Sequence, residues 1–282
     1  MPHTISALTI AGSDPCAGAG LQADLKTFSA LGVYGCSVVS ALTAQNTTGV
    51  EKIWCVPVGS VEKQINVLLD DITVSAIKFG MLNNAQVIQE VSHALLDYPE
   101  IPIVCDPVIV SSSGKQLLDR NGIGELKEFI KEHKRRKIIL TPNINEAAIL
   151  LNEDAAENES DMIKQAEKLL GLGCAAVVLT GGDLDQTTGN IKKNSDEQSV
   201  DVFVSRENNV QTCEVFRVEK ISTKNTHGTG CTFSAALASG LAKKMSLGDS
   251  VAMAKEYITH AIAHADELEI GHGAGPLQHF YQ

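Results

Sequence analysis

The chain has 282 residues, 44% hydrophobic and 20% charged, a balance that excludes a disordered or collagen-like polymer and leaves room for a large buried core. Its 23 Lys and Arg stand against 34 Asp and Glu for a net charge of −11, and the one basic run, Lys134 to Lys137, reads as a solvated helix end, so nucleic acid is not expected as a partner. No apolar run approaches the roughly 20 residues of a membrane span, and Met1-Pro2-His3-Thr4-Ile5 lacks the basic and apolar regions of a secretory signal.

In chain order, short runs rich in β-branched residues alternate with segments of helical length. Residues 6–11 read as a strand, 21–31 as an amphipathic helix, 36–41 as a strand and 61–69 as a helix. Strand 76–79, helix 85–96, strand 103–106 and helix 124–133 continue the alternation. Strand 137–140, helices 146–151 and 161–170, and strand 175–179 follow. Strands this continuously apolar have both faces covered, so the expected fold is α/β, a three-layer, mostly parallel central sheet with helices on both faces. The pattern breaks after Gly182. Residues 185–199 are polar and read as a loop, while 200–204 and 212–218 read as a hairpin turned at Glu207-Asn208-Asn209. Together they form a small hairpin or flap insertion near 183–218, expected to be a mobile lid beside a ligand. Helical periodicity returns over 232–244 and 247–268. No internal repeat and no linker divides the chain, which reads as one domain over 1–282. Its seven cysteines include no C-x-x-C pair and read as reduced thiols of a cytoplasmic protein.

Ligands of an open parallel sheet bind beyond the carboxyl ends of its strands, so the loops there carry the functional argument. In the loop after the first strand, Gly18-Ala19-Gly20-Leu21-Gln22-Ala23 fits a dinucleotide-type G-x-G-x-x-A pattern. It stands six residues beyond the strand end, and the second strand ends at Ala44-Gln45 without the carboxylate a ribose requires, which disfavours a dehydrogenase. The second loop, Thr226-His227-Gly228-Thr229-Gly230-Cys231, opens an apolar helix. Its glycines let backbone N–H groups converge and the helix N-terminus adds its dipole, a combination suited to an anion such as a transferring phosphoryl group. On spacing alone it can also be a Gly-rich turn with a thiol cap, and no Lys follows the last glycine as in a Walker A loop. A thiol at a helix N-terminus has its thiolate favoured, which singles out Cys231. In Thr141-Pro142-Asn143-Ile144-Asn145-Glu146, Asn143 and Glu146 either reach a hydrated Mg²⁺ and its phosphates or form a capping box. Asp106 is a carboxylate at a further strand end, or the opening of an Asp-Pro turn.

Taken together these motifs resemble the hydroxymethylpyrimidine/phosphomethylpyrimidine kinases of thiamine biosynthesis, a branch of the ribokinase-like superfamily. The resemblance rests on Ala11 to Pro15 with Gly18 to Thr27, Thr43 to Thr47, Lys78 to Leu82, Asp106-Pro107-Val108, Thr141-Pro142-Asn143 with Glu146, Thr223 to Thr232, and Gly271-His272-Gly273 with Gly275-Pro276. It implies a ribokinase-like sheet with ATP and pyrimidine sites at its carboxyl edge, and ATP-dependent phosphorylation of hydroxymethylpyrimidine and of its monophosphate. On that resemblance Gln45 would hydrogen-bond the pyrimidine, since an amide offers a donor and an acceptor together, with Gly12, Asp24, Met81 and Val108 around the ring. Gly228, Thr229, Gly230 and Cys231 would form the anion hole, with Cys231 as base. Asp106 and Glu146 would lie by Mg²⁺ and phosphate, and Asn143, Thr180, Gly182 and Lys224 near the nucleotide. A homodimer is implied as well.

Two departures stand out. Cys16-Ala17 replaces the family's usual Ser-Gly, and Thr180-Gly181-Gly182-Asp183 replaces Lys-Gly-Gly-His, leaving Lys224 as the cation for the nucleotide. Pyridoxal kinase of the same branch is the nearest alternative, because pyridoxal also carries a hydroxymethyl on a six-membered aza-ring. A non-catalytic small-molecule-binding protein is a more distant one, since binding alone needs no base.

Overall fold

The computed structural model describes residues 4–111, 114–182, 198–207 and 210–281. The chain runs β1 (Ser6–Gly12), α1 (Gly20–Ala30), β2 (Tyr34–Asn46), β3 (Gly49–Cys55), α2 (Ser60–Leu69), β4 (Ala76–Phe79), α3 (Ala85–Ala94) and β5 (Ile103–Cys105). It continues through α4 (Arg120–Glu132), β6 (Ile138–Leu140), α5 (Ile144–Leu151), α6 (Glu159–Leu170), β7 (Ala176–Thr180), β8 (Gln198–Glu207) and β9 (Val210–Glu219). Helices α7 (Thr229–Ala242) and α8 (Leu247–Ala263) follow, and a short 3-10 turn over Ala265–Glu267 ends the regular structure.

All nine described strands lie in one sheet, in the order β3-β2-β1-β4-β5-β6-β7-β8-β9. The pairs from β2 through β7 are parallel, whereas β3, β8 and β9 add antiparallel edges. Successive side chains of a strand point to opposite faces, and the core divides accordingly. Leu8, Ile10, Ile77, Phe79, Ile103, Cys105, Ile138, Leu140, Val177 and Leu179 face one layer, packed with α2 to α6. Ala7, Ala76, Val104, Ile139, Ala176 and Val178 face the other, with α7 and α8. This is the expected α/β three-layer arrangement. Several helices begin where a side chain accepts an otherwise orphaned N–H: Asn84, Asp119, Asn143, Asn158 and Ser246 are such caps. Among the described residues no helix is long and apolar enough to cross a membrane.

Three elements differ from the sequence expectation. Strand β2 runs on to Asn46 and pairs with β3, a strand whose mostly exposed residues leave no apolar alternation to read. The hairpin of 198–219 is the edge of the central sheet, not a separate flap, because Val202, Phe203 and Val204 are buried against β7. The lid expected over 185–199 lies, apart from Gln198 and Ser199, outside the described residues. Finally, α8 stops at Ala263, short of residue 268.

Candidate active site

Because β1, β2, β4, β5, β6 and β7 are parallel, their carboxyl ends place Gly12, Gln45, Met81, Asp106, Asn143 and Thr180 along one edge of the sheet. Strand order reverses between β1 and β4, the kind of switch point where open sheets leave a crevice. There Gly80 N–H donates to Ile10 carbonyl, and a Cβ on Gly80 would come within 2.9 Å of that of Ala11.

Two glycine loops interlock above this edge. Asp14 is nearly fully buried, and its carboxylate accepts from the N–H groups of Cys16, Gly18 and Ala19, from the Cys16 thiol, and from His227 Nε2 at 2.9 Å. Burial alone would raise the Asp14 carboxyl; the hydrogen bonds from His227, Cys16 and Ala19 bring it down to about 2. Asp14, Cys16 and His227 thus gather three potential ligand atoms within 4.8 Å of one another, but the carboxylate is already saturated with N–H and S–H donors and serves as a clasp for the loop. A Cβ on Gly18 would meet His227 Cδ2 at 2.4 Å. Gly228, at φ +86°, sits where any Cβ would strike the Gly18 carbonyl. Only glycine fits either position. Of the two departures, Cys16 keeps the donor role toward Asp14 that a serine hydroxyl would fill, whereas Ala17 takes a left-handed φ of +57°. The Cys16 thiol, half-buried beside that carboxylate, is pushed up to about 11 by desolvation and by Asp14.

Gly228 caps α7, and Thr232 N–H is bonded back to its carbonyl. Thr229 spends its hydroxyl and N–H on Thr226 carbonyl. Gly230 and Cys231 N–H groups have no acceptor among the described residues, so they form the open, positive end of the helix dipole. Beneath that end lies a buried charge cluster. Lys78 Nζ is 2.9 Å from both oxygens of Asp24, and Thr9 Oγ1 donates to the same carboxylate at 2.6 Å. Asp106 accepts from Ser234 of α7 at 3.1 Å, and a Cβ on Gly230 would stand 3.6 Å from its Oδ2. Burial, opposed by Lys78 and Ser234, raises the Asp106 carboxyl to about 6. Burial also pushes the Cys231 thiol up to about 12, with Lys78 pulling it down and Asp24 and Asp106 adding to the rise. Burial thus works against the thiolate that the helix end favours.

The expected residues fall into two groups. Gly12, Met81 and Val108 converge: a Cβ on Gly12 would touch the Met81 methyl at 3.0 Å, and Met81 packs with Ala41, Leu117 and Val108. Gln45 lines an open groove of about 740 Å³ with Pro15, Asn46, Glu51 and Lys115, and its amide reaches His227. Neither Asp106 nor Cys231 lines that groove. Asp24 has no exposed surface, so its expected place at the ring becomes a place under the floor, as the partner of Lys78. At the other end, Asn143 pairs with Thr180 across adjacent strand ends, Gly182 is exposed, and so is Lys224. Asp183 lies outside the described residues. Asn143 and Glu146 do form the capping box, and Glu146 Oε1 additionally accepts from Ile109 N–H at 3.2 Å. Sequence patterning singles out neither Lys78, which sits in an apolar strand, nor Asp14 with His227. The signal available was a lysine inside a four-residue core strand, a position that demands a buried counter-charge.

Comparison with known proteins gives the site its context. A family model described as phosphomethylpyrimidine kinase matches residues 14–278. The hydroxymethylpyrimidine/phosphomethylpyrimidine kinase of Escherichia coli (strain K12) is 42% identical over 277 residues, 98% of each chain. That of Rhizobium meliloti is 41% identical, covering 99% of this chain and 98% of the relative. Among solved structures, a phosphomethylpyrimidine kinase from Clostridium difficile superposes with a TM-score of 0.74 at 37% identity, over 92% of this chain and 99% of that one. Bacillus subtilis pyridoxal kinase in an ADP complex superposes at 0.82 with 33% identity, over 98% of both chains. With its ribokinase-like sheet and these full-length likenesses, the chain is a kinase and belongs to the phosphomethylpyrimidine kinase family.

Proposed function

We propose that this chain transfers the terminal phosphoryl group of ATP first to the hydroxymethyl oxygen of 4-amino-5-hydroxymethyl-2-methylpyrimidine and then to the phosphate of the resulting monophosphate. The product is the pyrimidine diphosphate used for thiamine synthesis. The observation that carries this reading is the free N–H end of α7 at Gly230 and Cys231, set directly over Asp106 and on the same sheet edge as Gln45. Full-length relatives named for both phosphorylations support it.

In the first transfer the hydroxymethyl oxygen attacks the terminal phosphorus, the bond from that phosphorus to the bridging oxygen of ATP breaks, and Cys231 takes the hydroxyl proton. The N–H groups at the head of α7 hold the charge gathering on the phosphoryl oxygens. Lys78 is the buried cation that favours the thiolate this step requires. Mg²⁺ would neutralise the nucleotide phosphates. Asp106 fits it as a ligand or as a partner of its waters, because the cluster under α7 holds two carboxylates to one lysine. Both oxygens of Glu146 already accept backbone N–H groups, so its place near the metal is to hold the loop that carries Asp106. Asn143, Thr180, Gly182 and Lys224 are assigned to the nucleotide, and Gln45, Gly12, Met81 and Val108 to the ring.

The test is a turnover assay with ATP and the pyrimidine, its monophosphate or pyridoxal, reading product masses. Two successive additions of phosphoryl mass to the pyrimidine support the proposal, and turnover of pyridoxal alone refutes it. Pyridoxal is kept as the second reading because the structures of two pyridoxal kinases superpose on this chain along nearly its whole length. We also place the enzyme in the cytoplasm as a homodimer. The cross-strand pair Leu42 and Trp54, about half exposed on the β2–β3 ribbon, offers an apolar surface for such a contact.

A further inference from the structure

The neighbours of Gln45 determine more than its position. His227 Nε2 is 2.9 Å from Asp14 Oδ2, and a nitrogen that close to an ionised carboxylate carries a proton whether the ring is neutral or charged. That nitrogen is therefore a donor. Yet it is the Gln45 amide nitrogen, also a donor, that lies 3.2 Å from it. On the other side, the Gln45 oxygen is 3.4 Å from Thr43 Oγ1, whose single proton goes to the Ser13 carbonyl at 2.8 Å. Thr43 Oγ1 has only lone pairs left to offer. Donor meets donor at one end of the amide and acceptor meets acceptor at the other. A half-turn of the amide removes both clashes, placing its oxygen where it shares the single His227 N–H with Asp14 and its nitrogen on Thr43 Oγ1; oxygen and nitrogen of an amide are told apart only by such partners.

We infer that His227 and Thr43 are positioning residues that lock the Gln45 amide with its oxygen toward His227 and its nitrogen toward Thr43, and so decide which ring edge the site accepts. The inference rests on the reading that Gln45 meets the ring. With those two contacts made, one lone pair and one N–H of the amide remain for a ligand, and Gln45 lines the groove. A ring that brings an exocyclic amino group on the His227 side and an adjacent ring nitrogen on the Thr43 side pairs with both. A ring with the reversed pattern, a carbonyl beside a ring N–H, meets donor with donor and acceptor with acceptor. Without the lock, a free amide could turn to suit either.

The lock is also built into the glycine loops. Asp14, which fixes the His227 proton, is itself fixed by Gly18 and Ala19 N–H groups, and Ser13, which takes the Thr43 proton, is held by Gln22 Nε2 on its hydroxyl at 2.9 Å. Ring selection and the anion hole therefore share one residue pair, His227 and Gly228, on consecutive positions.

The experiment compares kcat/KM for the 4-amino pyrimidine with that for its 4-oxo counterpart, whose ring N–H and carbonyl reverse the edge. It uses wild type, Thr43→Val, Thr43→Ser, His227→Asn and Gln45→Leu. The lock predicts that discrimination falls roughly tenfold or more in Thr43→Val and His227→Asn, stays near wild type in Thr43→Ser, and leaves KM for ATP unchanged in Thr43→Val. Thr43→Val keeps the side-chain shape, so it carries the test if His227→Asn disturbs the packing on Gly18. If Gln45→Leu abolishes discrimination while Thr43→Val retains the wild-type ratio, the lock is wrong and the Gln45 reading stands. If Gln45→Leu itself leaves the ratio unchanged, Gln45 does not read the ring and both ideas fall.

Discussion

Replacing Lys78 with methionine tests the charge cluster under α7. Lys78 and Asp24 are both fully buried, and Nζ bridges both carboxylate oxygens at 2.9 Å. Asp24 holds the lysine charged and pushes its ammonium well above the usual range. A lysine with a raised folded pKa stabilises the fold below its unfolded pKa and loses that contribution only as pH rises through the folded one, so its share is present across the neutral range, while burial raises the Asp24 carboxyl and works against it. Methionine fills much of the same space but leaves a buried carboxylate with Thr9 as its one remaining partner. Breaking such a pair costs about 3–5 kcal/mol. Unfolding entropy of about 2.1 cal/mol/K per residue gives about 0.6 kcal/mol/K for this chain, so the melting temperature should fall by roughly 5–8 °C. The double variant Lys78→Met/Asp24→Leu removes the orphaned charge and should recover most of the loss. Calorimetric melting of wild type, single and double variants at neutral pH is the assay. A single variant that melts within a degree of wild type, or a double variant no better than the single, would refute the idea that the pair is a coupled buried charge.

Other substitutions probe neighbouring steps. With its thiol at about 12, Cys231 acting as base should give a kcat that climbs with pH through the neutral range, since the deprotonated form is the active one; Cys231→Ala should lose about 10²–10⁴-fold and the climb with it, while Cys231→Asp should move the climb to lower pH, and identical profiles for wild type and Cys231→Ala would remove the thiol from the mechanism. Gly18→Ala puts a methyl 2.4 Å from His227 Cδ2, so stability should drop by about 1–3 kcal/mol and kcat/KM for the pyrimidine should fall with it; an unchanged enzyme would mean the loops are not interlocked. Glu146→Gln keeps one acceptor oxygen for two N–H groups, those of Asn143 and Ile109, which predicts a loss of about 1–3 kcal/mol and a higher Mg²⁺ concentration for half-maximal rate; superimposable melting curves and Mg²⁺ titrations would leave Glu146 without either role.

The layered sheet was legible because its central strands, such as Ile138–Leu140 and Ala176–Thr180, are apolar on both faces, and the helices between them carry caps at readable positions. Strand β3 was not, because Glu51, Lys52 and Trp54 lie exposed and show no buried face. The glycine loop 226–231 was legible as the head of an apolar helix, and on spacing alone it fitted an anion site or a Gly-rich turn alike. The state of Cys231 was not. A helix N-terminus is visible in sequence, whereas the burial that opposes it arises only when α7 packs on β1, β4, β5 and α1. In the same way Glu146 declared both a cap and a ligand, and only its second bond, to Ile109 across 37 residues, shows how a cap can hold the loop of Asp106. Lys78 and Asp24 stand 54 residues apart, and nothing local in either segment names the other.

The Cys16-Ala17 departure supplies the last test, because its two halves behave differently. Cys16 is chemically conservative: its thiol, pushed up to about 11, stays protonated and donates to Asp14 as a hydroxyl would. Ala17 is not. At φ +57° its Cβ crowds its own backbone, a strain of about 1–2 kcal/mol that glycine does not suffer. The conformation persists because it is held from both sides, by Ala17 N–H on the Asp14 carbonyl at 2.9 Å and by Lys26 Nζ on the Ala17 carbonyl at 2.8 Å. Both bonds are made by the backbone of residue 17, so Ala17→Gly keeps them. Against the relieved strain stands the larger unfolded-state entropy of glycine, about 0.4–1 kcal/mol. The balance lies between nothing and about 1.6 kcal/mol of stabilisation, which for a chain of this length is up to about 3 °C in melting temperature. Because the loop geometry does not change, kcat/KM for the pyrimidine should stay at the wild-type value. Paired melting curves and kinetics of the variant decide it. A lower melting temperature would show that the left-handed turn is not strained, and a changed kcat/KM would show that the turn moves once the methyl is gone, so that Ala17 and not the Asp14 clasp sets the shape of the loop.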